Sequence, residues 1–178
     1  MGQGIAIGLR EDEAATNTIE VDKLQALLSH VEGCAGVSDD VSSSIHAGLI
    51  SELRFKVEAL ERGFEVYQPC SPASKADFII RKSPHRPLLI QVKRAGLTPS
   101  GGWRFATCSR NPTRGTVPYR FDEFDFFAVH VDAGVGHYFG FFPLSLLHGN
   151  TNKVWQPSRG APPPDNWDIL EESEGVEE

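Results

Sequence analysis

Four polar residues that stand in apolar surroundings could together hold a metal ion and activate water: Glu52, Asp77, Gln91 and Lys93. Carboxylate and amide oxygens suit Mg²⁺, which takes about six oxygen ligands and keeps several waters. A neighbouring lysine can orient or deprotonate a water molecule and offset the charge of a phosphate. Since a cation also polarises a phosphodiester and lowers the pKa of its water, the four residues suit metal-dependent hydrolysis of that bond.

Glu52 lies in the strongest helix pattern of the sequence, from Ser42 to Arg62. At about 100° per residue it falls in the middle of the predicted apolar face, whereas Glu58 falls on the opposite face. That face is defined by Ile45, Leu49, Leu53, Val57 and Leu60. A carboxylate that faces a core is costly unless it is paired, protonated or metal-bound. An ion pair with Lys56, one turn along, is the alternative to a metal role.

The other three residues lie on two short predicted strands. Asp77 opens the apolar strand over 76–80. Gln91 and Lys93 project from one side of the next strand, over 88–93, because side chains alternate between the faces of a sheet. If the strands pair and the helix packs over that face, all four side chains converge. Taken singly, Asp77 also suits a strand start that bonds a turn amide, and Lys93 suits the solvated end of a strand.

The rest of the pattern predicts the elements that must hold these residues in place. Apolar spacing indicates a first helix near 19–31, and the run from Phe124 to Val131 indicates a buried strand. Residues 95–120 read as rich in loops. Further short elements are predicted as strands over 64–67, 103–106 and 137–142 and as a helix over 144–147. The expected fold is α/β.

This order of motifs resembles the core of the PD-(D/E)XK nuclease superfamily. Four segments carry the likeness: Gly48-Leu49-Ile50-Ser51-Glu52, Gly63-Phe64-Glu65-Val66, Ala76-Asp77-Phe78-Ile79-Ile80 and Ile90-Gln91-Val92-Lys93. The Gln-x-Lys form is similar to the intron-encoded homing endonuclease branch and, more distantly, to archaeal Holliday-junction resolvases. The resemblance covers about residues 44–95 and, more loosely, 119–147.

The resemblance implies a restriction-endonuclease-like core with a mixed central sheet flanked by helices. It implies a Mg²⁺-dependent DNA endonuclease, with Mn²⁺ as a substitute, that works as a homodimer or homotetramer. By that likeness Asp77 is the principal metal ligand and Lys93 the catalytic lysine. Glu52 is the helix acid and outer ligand, and Gln91 occupies the position where the family usually has Glu or Asp.

Two departures from the family pattern keep other functions open. Ala76 stands where the family name implies proline, outside the chemistry. Gln91 can coordinate a cation through its amide oxygen but adds no negative charge, so we expect a weaker metal site. The alternatives are a non-catalytic DNA-binding or protein-interaction module on a degenerate nuclease fold, and a nuclease that acts on RNA.

A run without acidic residues follows the predicted lysine strand. It holds five arginines, namely Arg94, Arg104, Arg110, Arg114 and Arg120, interleaved with Trp103, Phe105 and Tyr119. Guanidinium groups suit contacts to the phosphates of double-stranded DNA. The alternative is a solvated loop whose aromatic residues belong to the core.

The formal net charge of −7 conceals three regions of different sign. Residues 1–40 carry two basic and eight acidic residues, residues 41–164 carry fifteen basic and nine acidic ones, and residues 165–178 carry seven acidic ones alone. We therefore predict an acidic N-terminal segment over 1–40, a nuclease-like domain over 41–160 and a mobile Pro-rich acidic tail over 161–178.

Membrane and secretory signals are absent from the sequence. No apolar run approaches the roughly eighteen residues of a bilayer span, and no basic leader with a long apolar stretch precedes the chain. The spacing of Cys34, Cys70 and Cys108 matches neither a disulfide framework nor a CxxC metal site. These features predict a cytoplasmic protein with reduced thiols.

Overall fold

The computed structural model describes residues 11–34, 41–71, 73–111, 113, 115–133, 136–147, 152–155 and 165–172. The helices are α1 (Glu11–Cys34), α2 (Val41–Glu61), α3 (Leu144–Leu147) and α4 (Asp168–Glu172). The strands are β1 (Glu65–Tyr67), β2 (Phe78–Arg81), β3 (Leu88–Arg94), β4 (Gly96–Leu97), β5 (Trp103–Ala106), β6 (Cys108–Asn111), β7 (Gly115–Pro118), β8 (Phe126–Asp132), β9 (His137–Pro143) and β10 (Asn152–Trp155).

A five-stranded mixed sheet forms the centre of the molecule, in the order β1-β2-β3-β8-β9. The pair β3 and β8 is parallel, with Ile90 opposite Phe126 and Arg94 opposite His130. The other neighbouring pairs are antiparallel. Together with the flanking helices, this arrangement confirms the predicted α/β fold with a mixed central sheet.

Helix α2 covers one face of the central sheet through Phe55, which is fully buried. It packs with Phe78 and Ile80 of β2 and with Ile90 and Val92 of β3 in one core cluster. The opposite face supports a second cluster, to which β5, β8 and α3 contribute; its members include Trp103, Phe105, Phe127, Val129, Leu144 and Leu147. Because both faces are covered, β8 is buried along most of its length and β3 and β9 are buried in their middle residues.

The rotation of α2 about its axis differs from the sequence prediction. Ile45 and Leu49, which were expected to face the core, are 68% and 42% exposed, whereas Ser51, Phe55 and Ala59 are buried. Apolar residues occur all round this helix, so their spacing alone does not select one face. Phe55 supplies the largest apolar surface and its side turns to the sheet.

The region over 95–120 is more regular than predicted. Besides β5 it contains the short strands β4, β6 and β7. Strands β4 and β5 join β10 in a three-stranded sheet, and β6 pairs with β7. Strand β4 has only two residues, and the sequences of β6 and β7 contain almost no alternation of apolar and polar residues, which is why the prediction of a loop-rich stretch is wrong.

The predicted mobile tail is also wrong for residues 165–172. Trp167 and Leu170 are each 2% exposed and belong to the same core cluster as Phe55. Two ion pairs fasten this segment to the domain: Arg62 to Asp165 at 2.6 Å and Lys82 to Glu171 at 2.6 Å. The acidic composition concealed two large apolar side chains, whose burial holds the segment in place.

The first helix extends well beyond the predicted span of 19–31, since α1 runs from Glu11 to Cys34. Of the predicted terminal segments, residues 1–10, 35–40, 161–164 and 173–178 lie outside the described residues, and the domain boundaries at 40 and 160 stay a prediction. Among the described helices, none combines the length and apolar character that crossing a membrane requires.

Candidate active site

Asp77 lies where β2 and β3 diverge, directly before the first residue of β2. Its backbone N–H still donates to the Ile90 carbonyl at 2.8 Å. Its carboxylate Oδ2 then accepts the backbone N–H of Val92 at 2.7 Å and also accepts Nε2 of Gln91. The carboxylate thus accepts a backbone N–H of β3 at the point where backbone pairing between β2 and β3 ends. This hydrogen bond holds the carboxylate beside Gln91.

Lys93 lies two residues beyond Gln91 on the same face of β3, as strand alternation predicts. Burial lowers the pKa of its ammonium, while the nearby charges of Asp77 and Glu52 act in the opposite direction. Its Nζ lies 5.3 Å from the centre of the Tyr119 ring. Lys93 is therefore a half-buried group among charged neighbours, and the alternative of a solvated strand end is wrong.

Glu52 reaches the same place from α2. Its pKa is raised to about 7, mainly by burial and also by the charge of Asp77, while the charge of Lys93 acts in the opposite direction. Lys56, the partner in the ion-pair alternative, bonds instead to Glu20 of α1 at 2.7 Å. The helix packs over the Ile90 face of β3, opposite to the face that was expected, so Glu52 approaches Asp77 and Lys93 from the side of the helix.

The oxygen donors of this cluster fit a Mg²⁺ ion. Two half-buried carboxylates with raised pKa values, Glu52 and Asp77, lie close enough for their charges to interact. A hard cation would stabilise the ionised form of both. Across the described residues, no group of three or more His, Cys, Asp or Glu side chains could hold a metal, so most remaining ligands would be waters and neutral oxygens.

Gln91 presents its amide nitrogen to this cluster. Nε2 donates to the Asp77 carboxylate and to the Val92 carbonyl at 3.2 Å. The hydrogen bond from the amide partly offsets the cost of burying the Asp77 charge. Gln91 therefore supports the Asp77 carboxylate, and its role as a metal ligand stays a prediction.

Three of the five predicted arginines have described side chains. Arg94, Arg104 and Arg120 are exposed, and Arg120 pairs with Asp122 at 3.2 Å. Arg94 lines a cavity of about 790 Å³ between the start of α2 and β5. The Arg110 side chain and all of Arg114 lie outside the described residues. Their phosphate contacts stay a prediction.

Two residues near the site were not recognised as such from the sequence. Tyr119 was seen only as one aromatic residue in the arginine-rich run. No role was predicted for His130, which is 2% exposed. The sequence signal for its burial was its place inside the apolar run Phe126-Phe127-Ala128-Val129-His130-Val131. In the structure every residue of this run is buried.

His130 joins the sheet to α2 through Ser51, the residue before Glu52. Ser51 Oγ donates to the Ala47 carbonyl at 2.9 Å and lies 2.8 Å from His130 Nδ1. Burial lowers the pKa of His130 to about 3. This buried contact joins α2 to β8 at the residue before Glu52.

A second acidic cluster lies around Glu58 on the other side of Phe55. The His137 Nε2 atom lies 2.8 Å from the Glu58 carboxylate, and Arg54 donates to His137 Nδ1. Burial raises the pKa of Glu58 to about 7, and the charge of Asp165 adds to the effect. The expectation that Glu58 would be an ordinary solvated residue is wrong.

Replacing Glu58 with glutamine should change how folding depends on pH. The pKa of Glu58 rises from 4.5 to about 7 on folding, so between these values the folded chain binds more protons than the unfolded chain. The wild-type protein should therefore lose roughly 1–3 kcal/mol of stability relative to Glu58→Gln as pH rises through this window. Urea unfolding from about pH 4.5 to about pH 8 measures the difference. Parallel curves for the two proteins would contradict it.

Comparison with known proteins bears on the fold. The chain is similar to the solved structure of a bacterial homing endonuclease, I-Ssp6803I, with a TM-score of 0.51 and 22% sequence identity. The match covers 62% of this chain and 76% of that chain. No family model matches the sequence. No curated protein matches it either. The molecule shares the fold of that structure, with a central sheet flanked by helices.

Proposed function

We propose that the protein is a Mg²⁺-dependent endonuclease that hydrolyses phosphodiester bonds in DNA. The observation that carries this proposal is the meeting of two carboxylates with raised pKa values, Glu52 and Asp77, with a lysine of lowered pKa, Lys93. Perturbed groups of opposite charge in one place are typical of catalytic sites. The similarity in fold to a bacterial homing endonuclease supports the assignment.

Each residue of the site has a distinct role in this proposal. Asp77 and Glu52 hold the cation, with Gln91 beside them. When bound, the cation neutralises the two half-buried carboxylates, polarises the phosphodiester and lowers the pKa of water. Lys93 orients the attacking water and accepts its proton at Nζ. Its lowered pKa favours this function because it increases the fraction of neutral amine.

Double-stranded DNA is the proposed substrate, and a homodimer or homotetramer is the proposed working form. Residues 41–164 carry six more basic than acidic residues, which favours a polyanionic partner. The described chain presents one cluster of Glu52, Asp77 and Lys93, and cutting both strands of a duplex requires two such sites. The oligomer rests on this argument and on the family resemblance.

The proposal is tested by incubating the purified protein with supercoiled plasmid and Mg²⁺ or Mn²⁺. We expect nicked and linear products with either cation and none in excess EDTA. A single-stranded RNA of matched length serves as the competing substrate. A clear preference for RNA would overturn the choice of DNA, and no cleavage with either cation on either substrate would overturn the nuclease assignment.

Gln91 gives a physical basis for a second candidate function, a non-catalytic DNA-binding or protein-interaction module. Its amide nitrogen already satisfies the Asp77 carboxylate and it brings no negative charge. Under this alternative the protein binds DNA with an affinity that falls steeply as salt increases, without cutting it. The cleavage and binding assays, run on one preparation, separate the two functions.

Changing Gln91 to glutamate should strengthen the metal site. The new carboxylate loses the amide N–H that bonds Asp77 and places a third acid near Glu52, so the metal-free variant should melt at a lower temperature. Mg²⁺ or Ca²⁺ should then raise its melting temperature more than that of the wild type, with half-saturation at about 3- to 30-fold lower concentration. Calorimetric melting at increasing cation concentration measures both effects. Equal half-saturation in the two proteins would exclude Gln91 from the metal site.

A further inference from the structure

The ring of Tyr119 forms one wall of the space occupied by Lys93. The Lys93 Nζ atom lies 5.3 Å from the centre of the ring. The tyrosine is 4% exposed, and it packs edge-to-face against Phe124 at 4.9 Å and against Phe127 at 5.6 Å. Packing against two other buried rings leaves the Tyr119 ring little freedom to turn.

A rigid aromatic face suits a lysine that would otherwise be mobile. Lys93 has a flexible side chain of four methylene groups, and a catalytic amine must be held at one place to act on water. The ring face attracts the ammonium, which is the form that results when Nζ accepts a proton from water. The charges of Asp77 and Glu52 also favour this form. These contacts restrain the lysine side chain within the cluster.

The tyrosine itself stays uncharged in this environment. Burial raises the pKa of its hydroxyl above the ordinary value, and the charge of Asp77 raises it further. The residue therefore contributes a neutral ring and adds no anion that would compete with Asp77 for a cation or for Lys93.

We propose that Tyr119 is a positioning residue whose ring holds the Lys93 amine in place for its action on water. The inference rests on the proposed nuclease function and extends it by one residue. Tyr119 acts through Lys93, so its contribution lies in the chemical step and not in the binding of DNA.

The kinetic test compares two substitutions of Tyr119 that differ in whether the ring is kept. Tyr119→Phe keeps the ring and should retain kcat within about threefold, whereas Tyr119→Leu removes it and should lower kcat by about 10- to 100-fold. KM for plasmid should change little in either variant. Equal kcat values for Tyr119→Leu and wild type would overturn the proposal.

Phe105→Leu is the matched control for loss of packing. Phe105 is buried in the same cluster, with its ring 6.0 Å from Phe127 and 5.3 Å from Phe142. Phe105→Leu should lower the melting temperature, as Tyr119→Leu does, but it should leave kcat close to the wild-type value. An equal loss of kcat in this control would show a general structural effect and overturn the positioning role.

A spectroscopic measurement tests the contact without relying on activity. In protein labelled with ¹³C-lysine, the ring should shift the Lys93 side-chain resonances upfield, and Lys93→Arg assigns them. The shift should persist in Tyr119→Phe and disappear in Tyr119→Leu; its absence from the wild type would overturn the contact. If the nuclease function itself is wrong, the wild-type protein will still show the upfield shift of Lys93 but will cut no DNA. That result would overturn the catalytic part of the inference.

Discussion

Cleavage of plasmid by Lys93→Ala and by Asp77→Asn falls about 10²- to 10⁴-fold below the wild-type rate, if the proposed site is correct. Lys93→Ala removes the group that accepts a proton from water. Asp77→Asn keeps the side-chain shape and can still accept the Val92 N–H, but it loses the charge that would hold a cation. Initial rates of nicking, measured at saturating Mg²⁺, give the size of each loss. Unchanged rates in both variants would exclude this cluster as the active site.

Two glutamates on α2 provide a matched comparison for the role of Glu52. Glu52 and Glu58 each have a pKa raised to about 7 by burial, yet only Glu52 interacts with Asp77 and Lys93. Glu52→Gln should lower the cleavage rate about 10- to 100-fold, as expected for an outer ligand. Glu58→Gln should leave the rate close to wild type. Equal losses in the two variants would indicate a structural effect of α2 and not a catalytic one.

Lys82→Ala serves as the control for removing a lysine. Lys82 pairs with Glu171 at 2.6 Å and lies over the Phe64 ring, away from the catalytic cluster. This variant should cleave plasmid at the wild-type rate. The DNA affinity of Lys93→Ala should also stay within a few-fold of wild type, because phosphate contacts are spread over several basic residues.

The second large effect concerns stability: Trp167→Ala lowers the free energy of unfolding by about 3–5 kcal/mol. The indole is 2% exposed and stacks on Phe55 at 5.6 Å, and its edge contacts Phe141 at 4.7 Å. The Arg62 guanidinium lies over the ring at 4.8 Å. Removing the indole opens a cavity between α2 and the sheet, and the melting temperature of Trp167→Ala should fall by about 6–20 °C.

Truncation separates this contribution from the acidic character of the same segment. A chain that ends at residue 164 lacks Trp167 and Leu170 and should lose at least as much stability as Trp167→Ala. A chain that ends at Glu172 keeps both residues and removes three acids, so it should melt close to the wild type. Urea unfolding of Trp167→Ala and of the two truncated chains measures their free energies of unfolding. A free energy of unfolding unchanged by truncation at residue 164 would contradict core packing by this segment.

Much of the candidate site was predictable because it depends on local periodicity. Gln91 and Lys93 share one face as a consequence of the two-residue repeat of strands, which any sequence in this conformation must follow. Asp77 joins them through the pairing of β2 with β3, in which Phe78 lies opposite Ile90. The bounds of α2 were predicted within one residue, since Gly63 follows its end and adopts a φ of 82°. Element type and spacing within an element are properties of the local sequence.

The rotation of α2 was decided by contacts that no local pattern records. Ser51 and His130 are 79 residues apart in the chain, and their hydrogen bond helps to select the side of the helix that faces the sheet. On this side of the helix, Glu52 and Glu58 flank Phe55. The apolar stripe predicted from the helix alone is buried at Val57 and Leu60 but exposed at Ile45 and Leu49. Phe55, which lies outside that stripe, packs on the central sheet.

The sequence by itself determined the α/β pattern, the strand face that carries Gln91 and Lys93, and an acid on the preceding helix. The tertiary structure decided which ring lies against Lys93, which side of α2 is buried and where Trp167 packs. The physical reason is that hydrogen bonds within strands and helices act over a few residues. Packing of Tyr119 on Lys93 or of Trp167 on Phe55 joins distant segments, and these contacts form only when the whole chain is folded.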